Sequence, residues 1–325
     1  MHVLVTGSAG RIGKRVVAQL LDRGDTVTGF DLKGAGVSDP RYDEIVGGFE
    51  NPRLAAKAIK RAEAVVHLGA LMSWLPADSA RVMAANATSS LPLLAAAAAT
   101  GKLQRFVLAS TGEVYPEGKP RYEPIDEDHP CEPISTYGLS KLITEEAARF
   151  FHRTQGLPVT ILRFAHTQDA SELLDPESFF SGPRFYLRAK IRQQQAFGNA
   201  RALAVLEPLD NGREQLLIEC SEEGVPYRMM IADARDIADG VILALDSPRA
   251  VGATLNLGPD EAIAFDDAVA CLEVVTGLPV VRARMPGPPV NYSTSNARAR
   301  DLLGFRPRWT FATMVTDAKA TSASR

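Results

Sequence analysis

The chain has 325 residues, of which 46% are hydrophobic and 23% charged, and its formal net charge at pH 7 is −3. This balance suits a large buried core, and the lack of a basic excess argues against a nucleic-acid partner, because binding phosphates needs clustered Lys and Arg. Cys131, Cys220 and Cys271 lie far apart, and the five histidines show no ligand spacing. We therefore expect no metal site and no disulfide framework, and a reducing, cytoplasmic compartment.

No membrane partner is expected from the apolar runs. A membrane-spanning helix needs about 20 apolar residues, and the longest run, at 91–99, is much shorter. The start of the chain has no basic segment before its apolar residues, so residues 3–5 predict a first strand rather than a signal peptide.

Strands and helices alternate through the first half of the chain. Residues 3–5 and 26–30 predict buried strands, and between them the apolar side chains of 11–23 fall on one helical face. Further strands are predicted at 64–68, 105–109 and 157–162, with helices at 79–100 and 136–155. This order predicts an α/β fold with a parallel sheet, whose ligands bind at the carboxyl ends of the strands.

The first strand and first helix are joined by a glycine-rich loop, Gly7-Ser8-Ala9-Gly10-Arg11-Ile12-Gly13. Gly7 permits a tight turn, Gly10 lets the backbone approach a pyrophosphate, and Gly13 lets the helix lie close to the strand. The helix N-terminus adds free N–H groups and a partial positive charge. The loop predicts a dinucleotide site; the alternative is a strand–helix turn without a ligand.

Asp31 ends the second strand. A carboxylate at that place accepts hydrogen bonds from the ribose hydroxyls of NAD and repels the 2′-phosphate of NADP, although Lys33 would soften the repulsion. We therefore expect NAD as the cofactor; the alternative is an aspartate that only starts a turn.

Tyr137 and Lys141 lie four residues apart and so share one face of a predicted helix. An ammonium beside a phenol is expected to lower the pKa of the phenol, which suits Tyr137 to general acid–base work, while Lys141 would also hold the nicotinamide ribose. Ser110 and Thr111 follow the strand at 105–109, where a hydroxyl could bond the reacting oxygen. The alternatives are a solvated helix pair and an ordinary turn.

Two regions are expected. Residues 1–165 predict an NAD-binding Rossmann domain, to which 229–258 return through strands near 229–231 and 254–256 and a helix at 235–245. Residues 166–325 mainly predict a smaller C-terminal substrate-binding region. Within it, 179–199 predict a helix whose Arg184, Arg188 and Arg192 form one basic stripe that would attract an anionic substrate. The alternative is a solvated helix face.

Taken together, these motifs resemble the extended short-chain dehydrogenase/reductases, and in particular the NAD-dependent epimerase/dehydratase family. The resemblance covers nearly the whole chain. It rests on TGSAGRIG at 6–13, Asp31, HLGA at 67–70, Asn86, STGEVY at 110–115, YGLSK at 137–141, LRF at 162–164, DARDIA at 233–238 and LLGFRP at 302–307.

The resemblance implies site residues. Thr111, Tyr137 and Lys141 match the catalytic Ser/Thr–Tyr–Lys set of the family. The other positions that would line the cofactor are Gly7, Gly10, Arg11, Ile12, Gly13, Asp31, Leu68, Gly69, Ala70, Asn86, Phe164 and His166. Family members often pair through the helices matching 79–100 and 136–153, so a homodimer is expected.

Departures from the family bear on the substrate. Gly112 stands where family dehydratases carry an aspartate, which argues against dehydration, while Glu113 remains as a second acid–base group or a structural acceptor. His166 replaces the Asn common in sugar-nucleotide epimerases, Arg228 falls where a phosphate-binding arginine is frequent, and Gly48 replaces an acid near the adenine.

The function expected is that of an NAD-dependent oxidoreductase or epimerase. It would act on a secondary hydroxyl or keto group of a sugar-like small molecule, a sugar nucleotide or a sugar acid, with Ser110, Glu113, Arg184, Arg188 and Arg228 as candidate substrate contacts. The alternatives are an NAD(P)-dependent reductase or dehydrogenase of a non-sugar carbonyl and a non-catalytic NAD-binding protein.

Overall fold

The computed structural model describes residues 1–322. Its strands are β1 His2–Thr6, β2 Thr26–Asp31, β3 Tyr42–Val46, β4 Ala64–His67, β5 Arg105–Thr111, β6 Val159–Phe164, β7 His166–Gln168, β8 Leu216–Cys220, β9 Arg228–Met229, β10 Ile231–Asp233, β11 Thr254–Leu257, β12 Ile263–Ala264 and β13 Val280–Arg284. Its α-helices are α1 Arg11–Asp22, α2 Pro52–Ile59, α3 Ser79–Met83, α4 Ser90–Thr100, α5 Thr136–Gln155, α6 Gly182–Phe185, α7 Leu187–Phe197, α8 Ala200–Leu206, α9 Ala234–Asp246, α10 Phe265–Thr276, α11 Ala297–Leu303 and α12 Phe311–Ser322.

The central sheet has seven parallel strands in the order β3-β2-β1-β4-β5-β6-β11. The order reverses between β1 and β4, and in such sheets a ligand binds in the crevice outside the carboxyl ends of the strands at this point. The predicted α/β class with a doubly wound Rossmann sheet is confirmed.

Helices cover both faces of the sheet, which is why its inner strands are apolar almost throughout. In β1, Val3 and Val5 belong to the apolar cluster that includes residues of α1 and α9, whereas Leu4 belongs to the cluster that includes residues of α2, α4 and α5. This alternation follows from the two-residue period of a strand. The packing fixes the ends of the strands, and therefore the loops that form the site.

The helix predicted at 79–100 is interrupted. Between α3 and α4 the chain forms a π-helical turn, Ala84–Thr88. The run Pro76–Thr100 is long and apolar enough, by length and composition, to cross a membrane, which corrects the expectation that no such segment exists. Half of its most apolar window is buried, and α4 packs against α2 and α5, so its place in this fold is that of a core helix.

The strands of the second half mostly pair outside the central sheet. Of the two strands expected in 229–258, β11 joins the central sheet beside β6, whereas β10 pairs with β7 in a separate small sheet. The strands β8 and β13 form a parallel pair, and β9 pairs with β12.

The helix predicted at 179–199 is also broken. Tyr186 has extended backbone angles between α6 and α7, and its buried phenol donates to the Leu173 carbonyl over 2.9 Å. The break turns Arg184 away from Arg188 and Arg192, so the expected basic stripe does not form.

Candidate active site

A cleft of about 440 Å³ lies at the carboxyl edge of the sheet, and the glycine-rich loop lines one end of it. Gly7 has φ +68°, and a Cβ there would lie 2.8 Å from the Gly69 amide nitrogen. A Cβ on Gly13 would collide with the Gly7 carbonyl. No side chain caps the start of α1, so its first N–H groups can serve a phosphate. Gly7, Gly10, Arg11, Ile12 and Gly13 all line the cleft.

Asp31 lies at the same end of the cleft, at the end of β2. Its Oδ2 accepts a hydrogen bond from the Ala9 amide over 3.0 Å, which ties the glycine-rich loop to the second strand. Glu50 also lines the cleft, and a Cβ on Gly48 would collide with its carboxylate. The carboxylate of Glu50 therefore lies beside Gly48, and no sequence motif indicated Glu50 as the acid at this place.

The floor of the cleft comes from the chain after β4. Leu68, Gly69 and Ala70 line it as expected. Asn86 does not: its side chain is buried behind the cleft in the π-helical turn, where Oδ1 accepts from the Leu71 amide over 2.7 Å and Nδ2 donates to the Ser140 hydroxyl over 3.0 Å. This corrects the expectation that Asn86 lines the cofactor, since it instead positions the loop that does.

Thr111, Tyr137 and Lys141 come together on the wall of the cleft with Ser110. Thr111 ends β5, and the other two lie in the first turns of α5, whose N-terminus is capped by a hydrogen bond from the Gly138 amide to the Ser135 hydroxyl, 2.9 Å. A Cβ on Gly138 would collide with the Glu113 carbonyl. Glycine at this position lets α5 lie against the loop after β5, which brings the phenol and the hydroxyl to one site.

The electrostatics of this wall differ from the expectation. Burial, and then the charge of Glu113, raise the pKa of Tyr137 above its usual value. Burial lowers the pKa of Lys141 to about 8. The expectation that the lysine lowers the phenol pKa is therefore wrong for the chain alone, because removal from water penalises both charged forms.

Glu113 lines the cleft beside this wall. Its carboxylate accepts from Trp74 Nε1 over 2.9 and 3.0 Å and from the Ser135 hydroxyl over 2.7 Å. Burial raises the pKa of Glu113 despite these donors. The carboxylate is therefore held in one orientation at the wall of the cleft.

Glu117 and Tyr292 also line the cleft, and no sequence motif indicated either residue. A Cβ on Gly112 would lie 3.7 Å from Glu117 Oε1. Burial, and then the charge of Glu113, raise the pKa of Glu117 to about 8. The carboxyl group of Glu117 therefore lies close to the position that a Cβ on residue 112 would occupy.

Phe164, His166 and Arg184 also line the cleft. Arg184 Nε donates to His166 Nε2 over 3.0 Å. Burial, and then the charge of Arg184, hold the pKa of His166 well below its usual value, so the imidazole is neutral at pH 7. Arg11, near the glycine-rich loop, pairs with Glu172 and lies 4.3 Å over the ring of Phe180.

Two other expected substrate contacts lie outside the cleft lining. Arg188 is exposed, with Nε 3.6 Å from Asp210 Oδ2, because the break at Tyr186 turns it outward. Arg228 Nη2 pairs with Glu123 over 2.7 Å, and its Nε donates to Asn291 over 3.0 Å. These positions correct the expectation that both arginines face the substrate. Within residues 1–322, no group of three or more His, Cys, Asp and Glu side chains could hold a metal ion.

Comparison with known proteins gives a consistent result. Residues 3–258 match the model of the NAD dependent epimerase/dehydratase family. A UDP-glucose 4-epimerase of Azospirillum brasilense is 32% identical over 94% of this chain and 87% of its own length. A short-chain dehydrogenase/reductase superfamily protein of Agrobacterium tumefaciens, crystallised with bound NAD, is 48% identical with a TM-score of 0.95, covering 100% of this chain and 98% of that one.

The fold recurs in more distant structures. The UDP-glucose 4-epimerase of Thermotoga maritima is 23% identical, with a TM-score of 0.78 over 100% of this chain and 99% of that one. The predicted family, its enzymatic nature and its NAD cofactor are confirmed. The cleft presents the glycine-rich loop and the Asp31 carboxylate, features that suit a dinucleotide. The chain is therefore a member of the NAD dependent epimerase/dehydratase family.

Proposed function

We propose that this enzyme oxidises a secondary hydroxyl group of a sugar-like small molecule, or reduces the corresponding ketone, with Thr111, Tyr137 and Lys141 as its catalytic residues. The observation that carries the proposal is that these side chains line the same cleft as the glycine-rich loop and Asp31. Family membership supports it, and the complete Thr–Tyr–Lys set disfavours a non-catalytic NAD-binding protein.

Tyr137 is the proton-transfer group. When bound, NAD supplies the hydride acceptor, and the positive charge of its nicotinamide ring favours the phenolate. In oxidation the substrate loses a hydride from carbon and a proton from oxygen, and the Tyr137 phenolate takes that proton. In reduction the phenol returns it to the carbonyl oxygen. The Thr111 hydroxyl bonds the same oxygen, and the Lys141 ammonium stabilises the phenolate.

The buried phenol gives this chemistry a pH dependence. Because burial raises the pKa of Tyr137, the phenol form dominates at neutral pH in the chain alone. Oxidation, which needs the phenolate, is expected to accelerate as the pH rises above neutral, and reduction is expected to slow.

Two outcomes of one turnover are compatible with this site. An epimerase returns the hydride to the substrate, whereas a dehydrogenase releases NADH. Absorbance at 340 nm during turnover distinguishes them, because NADH accumulates only in the second. A non-sugar ketone as the preferred substrate would instead favour the alternative of a general carbonyl reductase.

Substitution of Tyr137 tests the proposal. Tyr137→Phe is expected to keep NAD binding, measured by calorimetry, and to lower kcat by about 10²–10⁴-fold, the usual contribution of a positioned acid–base group. Tyr122→Phe is the matched control, because Tyr122 is 43% exposed and bonds Asp126 away from the cleft. Full activity in Tyr137→Phe would refute the assignment.

We also propose a homodimer, as the family resemblance implies. Leu139, Ile143 and Phe150 on α5 and Leu91 on α4 are each at least 40% exposed. Such apolar side chains on neighbouring helices favour burial against a second copy. Light scattering gives the mass in solution, and a monomer at micromolar concentration would contradict this proposal.

A further inference from the structure

Arg184 is a cation in the cleft without a carboxylate partner. Within residues 1–322 it forms no ion pair, and its Nε donates a hydrogen bond to His166 Nε2 over 3.0 Å. A guanidinium has five N–H donors, and this contact leaves others free, because a neutral imidazole has only one acceptor nitrogen. Because Arg184 lines the cleft next to His166 and Phe180, its free donors are available to a bound anion.

Neither nearby acid forms an ion pair with Arg184, although its charge opposes the rise that burial causes in the pKa of Glu113 and of Glu117. Glu113 directs its carboxylate to Trp74 and Ser135. Glu117 has a pKa of about 8, which leaves it mostly protonated at neutral pH. A protonated carboxyl and the phenol of Tyr292 both donate and accept hydrogen bonds, which suits them to the hydroxyl groups of a sugar.

The other cations that line the cleft are already committed. Arg11 pairs with Glu172, Lys33 lies beside Asp31 at the adenosine end, and Lys141 belongs to the catalytic wall. Arg228 is held outside by Glu123 and Asn291. Among the described residues this leaves one guanidinium for the substrate, which matches one negative charge better than the two of a nucleotide diphosphate.

We propose that the substrate is a free sugar acid, such as a uronic or aldonic acid, whose carboxylate binds Arg184 and which carries no nucleotide. This inference rests on the proposed function and narrows its substrate class. It departs from the substrate named for the UDP-glucose 4-epimerase relatives, and the observations that carry it are that Arg184 has no ion pair within the described residues and that Arg228 pairs with Glu123.

A panel of ligands distinguishes recognition of a sugar carboxylate from recognition of a nucleotide diphosphate. The NAD-loaded protein is titrated by calorimetry with glucuronate, galacturonate, gluconate and galactonate, with the neutral sugars glucose and galactose, and with UDP-glucose, UDP-galactose and UDP-glucuronate. At least one free acid is expected to bind about tenfold or more tightly than its neutral counterpart, the scale of one charge-assisted bond, and more tightly than any UDP-sugar. Tightest binding by a UDP-sugar, or no preference for the acids, would overturn the inference.

Arginine variants assign the effect to one side chain. Arg184→Gln keeps a donor for His166 but removes the charge, and it is expected to weaken binding of the preferred acid by about tenfold or more while leaving binding of the neutral sugar unchanged. Arg184→Lys is expected to recover part of the loss. Arg188→Gln and Arg228→Gln are matched controls outside the cleft lining and are expected to change either affinity less than about twofold. Equal effects of Arg184→Gln on acid and neutral ligands would contradict a carboxylate contact.

Retention of NAD by Arg184→Gln shows that the variant is folded; if it does not fold, Arg184→Lys decides by the same comparison. Failure of this inference is distinguishable from failure of the proposed function. Turnover that depends on Tyr137 but not on Arg184 or on a substrate carboxylate refutes only the sugar acid. Turnover that is unaffected by Tyr137→Phe refutes the catalytic assignment itself.

Discussion

Arg163 and Glu145 form a buried ion pair behind the wall of the cleft that carries Thr111, Tyr137 and Lys141. Arg163 Nη2 donates to Glu145 Oε2 over 2.7 Å, and Arg163 Nε donates to Oε1 over 3.0 Å. The Ser110 hydroxyl donates to the same carboxylate. Because Glu145 lies one turn after Lys141 on α5, while Ser110 and Arg163 lie on β5 and β6, the pair fixes the helix that carries Tyr137 against the strand that carries Thr111.

Breaking this pair is expected to destabilise the protein strongly. Arg163→Met leaves Glu145 without its main partner in the interior and is expected to cost about 3–5 kcal/mol of unfolding free energy, whereas the double variant Arg163→Met/Glu145→Leu loses less, because no charge stays buried. Urea denaturation measures both. Arg249→Gln, which breaks the exposed pair with Asp301, is the control, expected to cost less than about 1 kcal/mol. A double variant as unstable as the single one would contradict this account.

The same pair predicts sensitivity to acid. Although burial opposes it, the hydrogen bonds and charge of Arg163 hold the pKa of Glu145 below its usual value. A depressed carboxyl pKa contributes stability above the unfolded-state pKa, and this contribution is lost as the pH falls through the folded-state pKa. Glu145→Gln is therefore expected to be less stable than wild type near pH 7 and to lose less stability towards pH 3. Parallel pH profiles would contradict this.

Lys141 is expected to reduce the stability of the protein without cofactor. Its pKa of about 8 lies below that of an unfolded lysine, so its charged form costs stability up to about pH 8, and the cost is relieved as the pH rises towards about 10.4. Lys141→Met is expected to raise the unfolding free energy near neutral pH by about 1–3 kcal/mol, to remove this rise with pH, and to abolish activity. Urea midpoints near pH 7 and pH 10 check it; a less stable variant would show that the ammonium is well compensated.

Asp31 is expected to decide between NAD and NADP. Asp31→Asn removes the charge that would repel a 2′-phosphate and weakens the bonds to the ribose, so NAD affinity is expected to fall about tenfold while that for NADP rises. Calorimetry with both cofactors measures the change. Asp43→Asn is the control, because Asp43 lies on β3 and forms an exposed ion pair with Arg61. It is expected to leave both affinities unchanged. If the ratio of NAD affinity to NADP affinity is the same in Asp31→Asn as in the wild type, Asp31 does not select the cofactor.

Local sequence predicts the part of the site that lies at strand ends. The glycine-rich loop, Asp31, Thr111 and the Tyr137–Lys141 pair each depend on a strand or helix that a short apolar pattern defines, so their meeting at one edge follows from the parallel sheet. Six strands of the central sheet were predicted in the same way, whereas β3 was not, and the strand near 229–231 was wrongly assigned to this sheet.

The rest of the site depends on tertiary packing. Glu50 and Glu117 bring their carboxyls to Gly48 and Gly112 from other positions in the chain, which no motif indicates. The break at Tyr186 arises because its buried phenol bonds Leu173, a contact between distant turns that overrides the helical pattern of the surrounding sequence. The directions of the arginines on either side follow from that break.

The role of Glu113 can be decided by the pH dependence of activity. Burial raises the pKa of Glu113, and the donors Ser135 and Trp74 oppose the rise. Trp74→Phe removes one donor, so the carboxyl is expected to become harder to ionise. If ionised Glu113 takes part in catalysis, the acid limb of kcat/KM moves to higher pH by about 0.5–1 unit.

The comparison needs a tryptophan that does not touch the cleft. Trp309→Phe provides it, because Trp309 stacks on Arg235, with the guanidinium carbon 3.3 Å from the ring centroid, and does not line the cleft. An acid limb that moves in Trp74→Phe but not in Trp309→Phe makes Glu113 an acid–base group. If Trp74→Phe lowers stability and leaves the limb in place, Glu113 is a structural acceptor that holds Trp74 and the start of α5, and proton transfer is left to Tyr137 alone.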